Sequence, residues 1–314
     1  MTFMAFRGSL ELGIIYAIMA LGVFLSFRTL NIPDLTVDGS FVLGAAVSAM
    51  MCTNGQPVEG IVVAFLAGCL AGCVTALLNT RLKIQPLLAG ILVMLALYSV
   101  NLRVMDKRAN IALMNKLSLF NVLPGISGDN AKTIIPSILL IGIVLLLFLF
   151  LKTRFGFVLR ATGDNDHMVR ALGVNTDFTT LIGLALANGL VALSGSLIAQ
   201  YQSFADISMG VGMVIIGLAS VIIGEVVFGA KSLLRRLIAV ALGAMLYRFI
   251  IAFAFELGMP ATDLKFISAL IVALALSGPV VKDKVNKLGP VMKEKINKLQ
   301  KKISTLRNHS GGHL

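Results

Sequence analysis

Residues 160–174 read RATGDNDHMVRALGV, a polar and charged stretch between apolar runs. Its acids, amides and histidine are spaced as a helix is built, not as a reaction centre. Asp164 is placed as an N-cap, and Asp166 falls in the first turn, where a negative charge opposes the positive end of the helix dipole. Asn165 to Leu172 makes about two turns. Arg170 suits the negative end, and Gly173 followed by apolar Val174 is a helix-stopping pair. The pattern predicts a short free-standing helix over about 164–173; the alternative is an ordinary solvated loop helix.

A second stretch imitates nucleotide chemistry. GEVVFGAKS, 224–232, nearly matches G-x-x-x-x-G-K-[ST], but Ala230 is an extra residue. The stretch also closes an apolar run instead of joining a strand to a helix, so no phosphate loop is expected. The two histidines of the terminal HSGGHL are a poor metal site. No triad, metal cluster or redox motif stands out elsewhere, so this chain is expected to bind no cofactor and to catalyse no reaction itself. The three cysteines suggest no disulfide framework: Cys52 sits at a span end, and Cys69 and Cys73 lie one turn apart.

The elements that would position these residues are apolar. The chain is 57% hydrophobic and 13% charged, with a mean hydropathy of +0.92, which excludes a soluble domain. Runs of about twenty apolar residues recur, each long enough to cross a bilayer as a helix, and the ~10-residue alternation of a membrane β-barrel is absent. An all-α, polytopic membrane protein follows. Its predicted spans are 8–27, 35–52, 57–79, 86–102, 134–151, 178–200, 208–228, 233–255 and 264–281, with the second and fourth short enough to be broken or tilted. The first lacks a basic leader and a cleavage site, which favours a membrane helix over a signal peptide.

The net charge of +12 reads as cytoplasmic loop enrichment in Lys and Arg, not as nucleic-acid binding. Arg28, Arg81, Lys83, Lys152, Arg154, Arg160, Arg170, Lys231, Arg235, Arg236 and the basic tail fall on one side of the nine-span topology. Fewer cations fall on the other. The N-terminus is therefore expected outside and the C-terminus in the cytoplasm, with 160–174 facing the cytoplasm. DLTVDGSFVLGAAVS from Asp34 and DISMGVGMVIIGLAS from Asp206 are faintly alike and would run in opposite directions. They suggest inverted repeats of the kind found in transporters; chance similarity of Gly-rich helices is the alternative.

The run FGFVLRATGDNDHMVRALGVNTDFTTLIGLALANGLVALSGSLIAQY, 155–201, resembles the cytoplasmic loop and following helix of ABC-type import permeases. It is most similar to the branched-chain amino acid permeases and to relatives assigned to tryptophan or tyrosine uptake. The motif is Arg160, Ala161, Gly163 and Asn165, a short helix, then Gly173 and Asn175. The resemblance extends from NIPDLTVDGSFVLGAA, near residue 31, to GLASVIIGE at 217–225. It implies a bacterial inner-membrane importer subunit for a small polar solute, an amino acid above all. It also implies partners: ATP-binding cassette subunits carrying ATP and Mg, an extracytoplasmic substrate-binding protein and a second permease copy. Arg160, Gly163, Asp164, Asn165, Asp166, His167, Arg170 and Gly173 would then form the coupling element that an ATPase grips. A secondary transporter or channel working without an ATPase is the competing class.

Other polar residues need partners or water at membrane depth. Asn188 and Gln200, on the most polar predicted span, are candidates for lining a pathway. Arg248 falls near the middle of the eighth span, where it snorkels, marks a misplaced boundary, or pairs with Glu256 or Glu11. Gly68 and Gly72 give the third span a small face for packing within the subunit or at a dimer seam. The basic loop 103–132 is expected to contain a short amphipathic helix through IALMNKL and either meets a binding protein or is merely solvated. Met292, Ile296, Leu299, Ile303 and Leu306 predict a basic amphipathic helix in the cytoplasmic tail, 282–314, suited to anionic membrane lipids or a helical partner. Glu225 is assigned no role.

Overall fold

Helix α9, Thr176–Gln202, is the axis of the molecule, and most of its length is buried. Around it pack α1, Phe3–Val23, which continues as a π-helical segment Phe24–Thr29; α2, Thr36–Thr53; and α3, Pro57–Thr80. Farther out lie α4, Pro86–Val104, and α6, Ala131–Lys152, with the four-residue α5, Leu119–Val122, between them. Two short helices, α7 (Arg154–Asp164) and α8 (Asp166–Ala171), precede α9. Helices α10, Met213–Phe228, and α11, Leu233–Glu256, pack on each other and on α1. This computed structural model describes residues 3–114, 116–122, 130–258, 266, 268–270 and 273. The predicted ninth span lies mostly, and the predicted basic tail wholly, outside them. Chain contacts divide the protein into Met1–Val272 and Ala273–Leu314, and every helix named here belongs to the first unit.

Seven of the described helices are long and apolar enough to cross a membrane, and α10 is a shorter apolar one. The chain is thus a polytopic helical membrane protein. Prolines at Pro57 and Pro86 open α3 and α4, where a missing N–H costs nothing. Contrary to the expected helix through 111–117, Asn110–Ala112 is a strand, β1. It pairs antiparallel with β2, Phe204–Asp206, with Ile111 opposite Ala205. The segment has a partner nearly a hundred residues away in the same chain, which sequence periodicity cannot reveal.

The core is built on backbone-to-backbone proximity at glycines. A Cβ on Gly44 would overlap Ala192 O, one on Gly72 would overlap Leu184 O, and one on Gly68 would lie 2.5 Å from Asn188 O. The Gly68–Gly72 face is therefore spent on α9 inside the subunit. Because α2 and α9 run parallel, Asp34 meets Asn188 and Ser48 meets Ser196. Asn188 lies about 18 Å along α9 from Thr176 at ~1.5 Å per residue, so α2 begins deep within the bundle.

Helix α10 also begins internally. The apolar pattern predicts a span from 208, but the chain first turns: Asp206 accepts from Ser208 N at 2.8 Å, and Gly212 has a φ of +88°. Asp38 of α2 then caps α10, accepting from Gly212 N at 3.0 Å and Val214 N at 2.8 Å. Asp34 makes the same local turn as Asp206, accepting from Thr36 N at 2.8 Å. The two similar segments diverge afterwards: α2 starts at Thr36, whereas α10 waits until Met213. Asp34 and Asp38 thus stand at the internal start of α2, each held by main-chain donors.

Asn188 is the hub of this interior. It donates to Asp34 Oδ2 at 2.7 Å and accepts from Ser40 at 2.7 Å, with no exposed surface. Asn188→Leu should lower stability by about 1–3 kcal/mol, because it strands the Asp34 carboxylate and the Ser40 hydroxyl. Thermal unfolding of the purified chain in detergent checks this, and an unchanged midpoint would refute it.

Candidate functional site

Three capped helices in succession build the end of the bundle that holds residues 153–175. Thr153 caps α7, its hydroxyl accepting from Gly156 N at 3.1 Å. Asn165 has extended backbone and caps α8, its side chain accepting from Met168 N at 3.0 Å. Asn175 caps α9, accepting from Asp177 N at 3.1 Å and Phe178 N at 3.2 Å. The polar stretch is thus split. Asp164, expected as the cap, is the last residue of α7, and the cap is its neighbour Asn165. Asn can take the extended backbone between two helices and offer its side-chain oxygen to the next turn. Arg160 and Gly163 likewise belong to α7.

Helix α7 is the foot of the device. It buries Gly156, Leu159 and Thr162, and Phe155 packs against the rings of Phe150 and Phe178 at 5.9 and 6.2 Å. Gly163 lies so close to the end of α1 that a Cβ would overlap Thr29 O. Helix α8 is held from one side only. Val169 is its buried residue, while His167, Met168, Arg170 and Ala171 are exposed, as is Leu172 just beyond. Gly173 has a φ of +82° and its N–H closes on Arg170 O at 2.9 Å, as the stop signal predicts.

Arg170 clasps the assembly. Its Nε donates to both oxygens of Asp166 at 3.1 Å, and a terminal nitrogen donates to Asp177 at 2.8 Å, joining α8 to the start of α9. Partial burial opposes the charged form of Asp166, but the Thr176 side chain, then Arg170's hydrogen bond and charge, outweigh it and hold the carboxyl below its ordinary range. The hydrogen bond that Arg170 donates to Asp166 holds the guanidinium above its own. Asp177 is a partner that the pattern alone does not announce, since it lies beyond the glycine stop. Between α8 and the end of α3 lies a cavity of about 460 Å³, lined by Asn79, Lys83, His167 and Thr180 among others.

The two pathway candidates sit elsewhere, both inside the packed chain. Asn188 holds the α2–α9 contact already described. Gln200 donates to Ser48 Oγ at 2.9 Å and Pro57 O at 3.0 Å, and accepts from Leu119 N at 2.7 Å. Arg248 lies over the ring of Tyr16, 3.9 Å from its centroid. Glu11, one partner weighed for it, is engaged instead by Arg7, Thr133 and Tyr201. Glu225 receives a role: it pairs with Arg28 at 3.0 Å, joining α10 to the end of α1.

The model of the family described as "Branched-chain amino acid transport system / permease component" matches residues 6–275. The tyrosine transport system permease protein of Clostridioides difficile is 42% identical over 265 residues, 84% of this chain and 88% of that protein. A probable branched-chain amino acid transport permease of Methanocaldococcus jannaschii is 26% identical, covering 68% of this chain and 73% of its own. The ribose import permease of Escherichia coli K12 is 25% identical, covering 83% of this chain and 80% of its own. No solved structure matches. With a matched region that runs from the first turn of α1 past the end of α11, the chain belongs to the branched-chain amino acid transport system permease family.

Proposed function

We propose that this chain is the membrane-spanning subunit of a bacterial ABC importer that moves a small polar solute, an amino acid, inward. Separate ATP-binding cassette subunits, carrying ATP and Mg, would drive it. A second copy of the chain would complete the pathway, and an extracytoplasmic binding protein would deliver solute. On this reading the protein sits in the inner membrane with α8 and the C-terminus in the cytoplasm and the N-terminus outside. The name of the Clostridioides relative supports an amino acid as cargo.

The observation that carries the reading is the build of α8. It is short, capped at both ends and clasped by Arg170, yet it presents Met168 and Leu172, 50% and 73% exposed, away from the bundle. Apolar side chains at the tip of a rigid polar helix suit a groove on a partner, and the open space behind α8 leaves it room to move. In proteoliposomes holding the chain with its ATP-binding subunits, Leu172→Asp should lower ATP-driven uptake by about tenfold, as loss of a buried interface anchor does. A cysteine placed at Met168 should cross-link to the ATP-binding subunit. Full uptake by Leu172→Asp, or solute movement by the chain without an ATPase, would overturn the proposal.

A further inference from the structure

On the opposite flank of α7 from α8's clasp, the chain forms a second cavity of about 360 Å³, to which the coupling stretch contributes only Arg160, Ala161 and Asp164. Its wall takes Arg28 from the end of α1, Arg160 from α7, and Lys231 and Arg236 from the α10–α11 turn and the start of α11. Four cations from three separate stretches of the chain converge on one space. Asp164 is also in the wall, and Glu225 sits behind, paired with Arg28.

The cations are arranged, not merely near. Arg236 Nε is tied to Ala230 O at 2.9 Å, and Arg28 is fixed by Glu225. Arg160 lies over the Phe157 ring, its guanidinium carbon 5.7 Å from the centroid. Each tie uses part of a guanidinium, which carries five N–H donors, and leaves others for a ligand. Ser232 caps α11, whose first turn adds the positive end of a 24-residue helix. Like charges drawn together this way repel unless an anion joins them, and arginine forks match phosphate oxygens.

The surroundings say which phosphate. The cavity opens at the ends of membrane-crossing helices, and Phe157 on its wall is 66% exposed. Val226, Val227, Leu234 and Ile238 on the same two helices, α10 and α11, are exposed apolar residues along which acyl chains can lie. We infer that this cavity is a binding site for the phosphate of an anionic phospholipid, bridging α7 to the α10–α11 turn.

The test uses the full chain in nonionic detergent, titrated with phosphatidylglycerol, phosphatidylcholine or inorganic phosphate, with bound molecules counted by native mass spectrometry. Phosphatidylglycerol should bind about tenfold tighter than phosphatidylcholine, the scale set by a few basic residues at an anionic headgroup. The paired change Arg160→Gln with Arg236→Gln should remove that preference, while Arg160→Lys with Arg236→Lys keeps most of it. Lys83→Gln with Lys152→Gln, outside the cavity, should leave it intact, and Asp164→Asn should strengthen it. Equal binding of the two lipids by the unaltered chain would overturn the site. A preference that survives the double glutamine change would overturn its location. Inorganic phosphate binding that depends on Arg160 and Arg236, without lipid preference, would overturn the lipid assignment.

Discussion

Gly44→Leu should leave almost no folded protein in the membrane. The position faces the carbonyl of Ala192 in α9, and even a single added carbon would overlap that oxygen. Neither side can yield cheaply. Phe41 and Gly195 form a second close approach within the same interface, and Ser40 and Ser48 bond to Asn188 and Ser196 on either side. To admit leucine the helices must separate, which breaks those bonds and opens voids at both. In a membrane, where association rests on packing and interhelical hydrogen bonds, the loss should exceed about 4 kcal/mol, near the whole stability of many domains. Gly142→Leu is the matching control, because a Cβ there meets nothing within 4 Å. Membrane yield and detergent-resistant monodispersity report the outcome. Comparable yield from both variants would show that α2 and α9 do not pack as described.

This interface also shows what was legible in the sequence. Seven of the nine expected spans were, because hydrophobic length is a local property: the helix over 57–79 is found at Pro57–Thr80. The caps and stops of the polar stretch were nearly so, since each uses residues within a few positions; the cap was misplaced by one, because Asp164 and Asn165 both suit the task. Partnerships were not. Nothing local in GEVVF ties Glu225 to Arg28, or in NIPDL ties Asp34 to Asn188, because those pairs meet only after distant helices pack. Helix α10 was overextended for the same reason. Its apolar pattern continues upstream of Met213, and only Asp38, reaching across from α2, makes Gly212 the better starting point.

Gly163→Val should separate ATP hydrolysis from transport. On the proposed reading a displacement of α8 must reach the transmembrane helices through α7, and α7 touches them most closely at Gly163, against Thr29 and Leu30. Those residues end the π-helical segment of α1 and lead, through Asn31 with its φ of +56°, into Asp34 and the start of α2. The route from the grip to the deepest acid is therefore short and mostly main chain. A β-branched side chain at Gly163 pushes α7 off this contact while leaving Asn165, Arg170 and the exposed face of α8 intact, so the ATP-binding subunits still find their partner. Uptake should fall by about a hundredfold, the upper end of ordinary coupling energies, with ATP hydrolysis near its unaltered rate. Gly163→Ala should fall between. If both variants transport normally, force does not pass through this contact. If hydrolysis and subunit association collapse together with uptake, Gly163 supports the grip itself and the transmission route lies elsewhere, through Arg170 and Asp177 into α9.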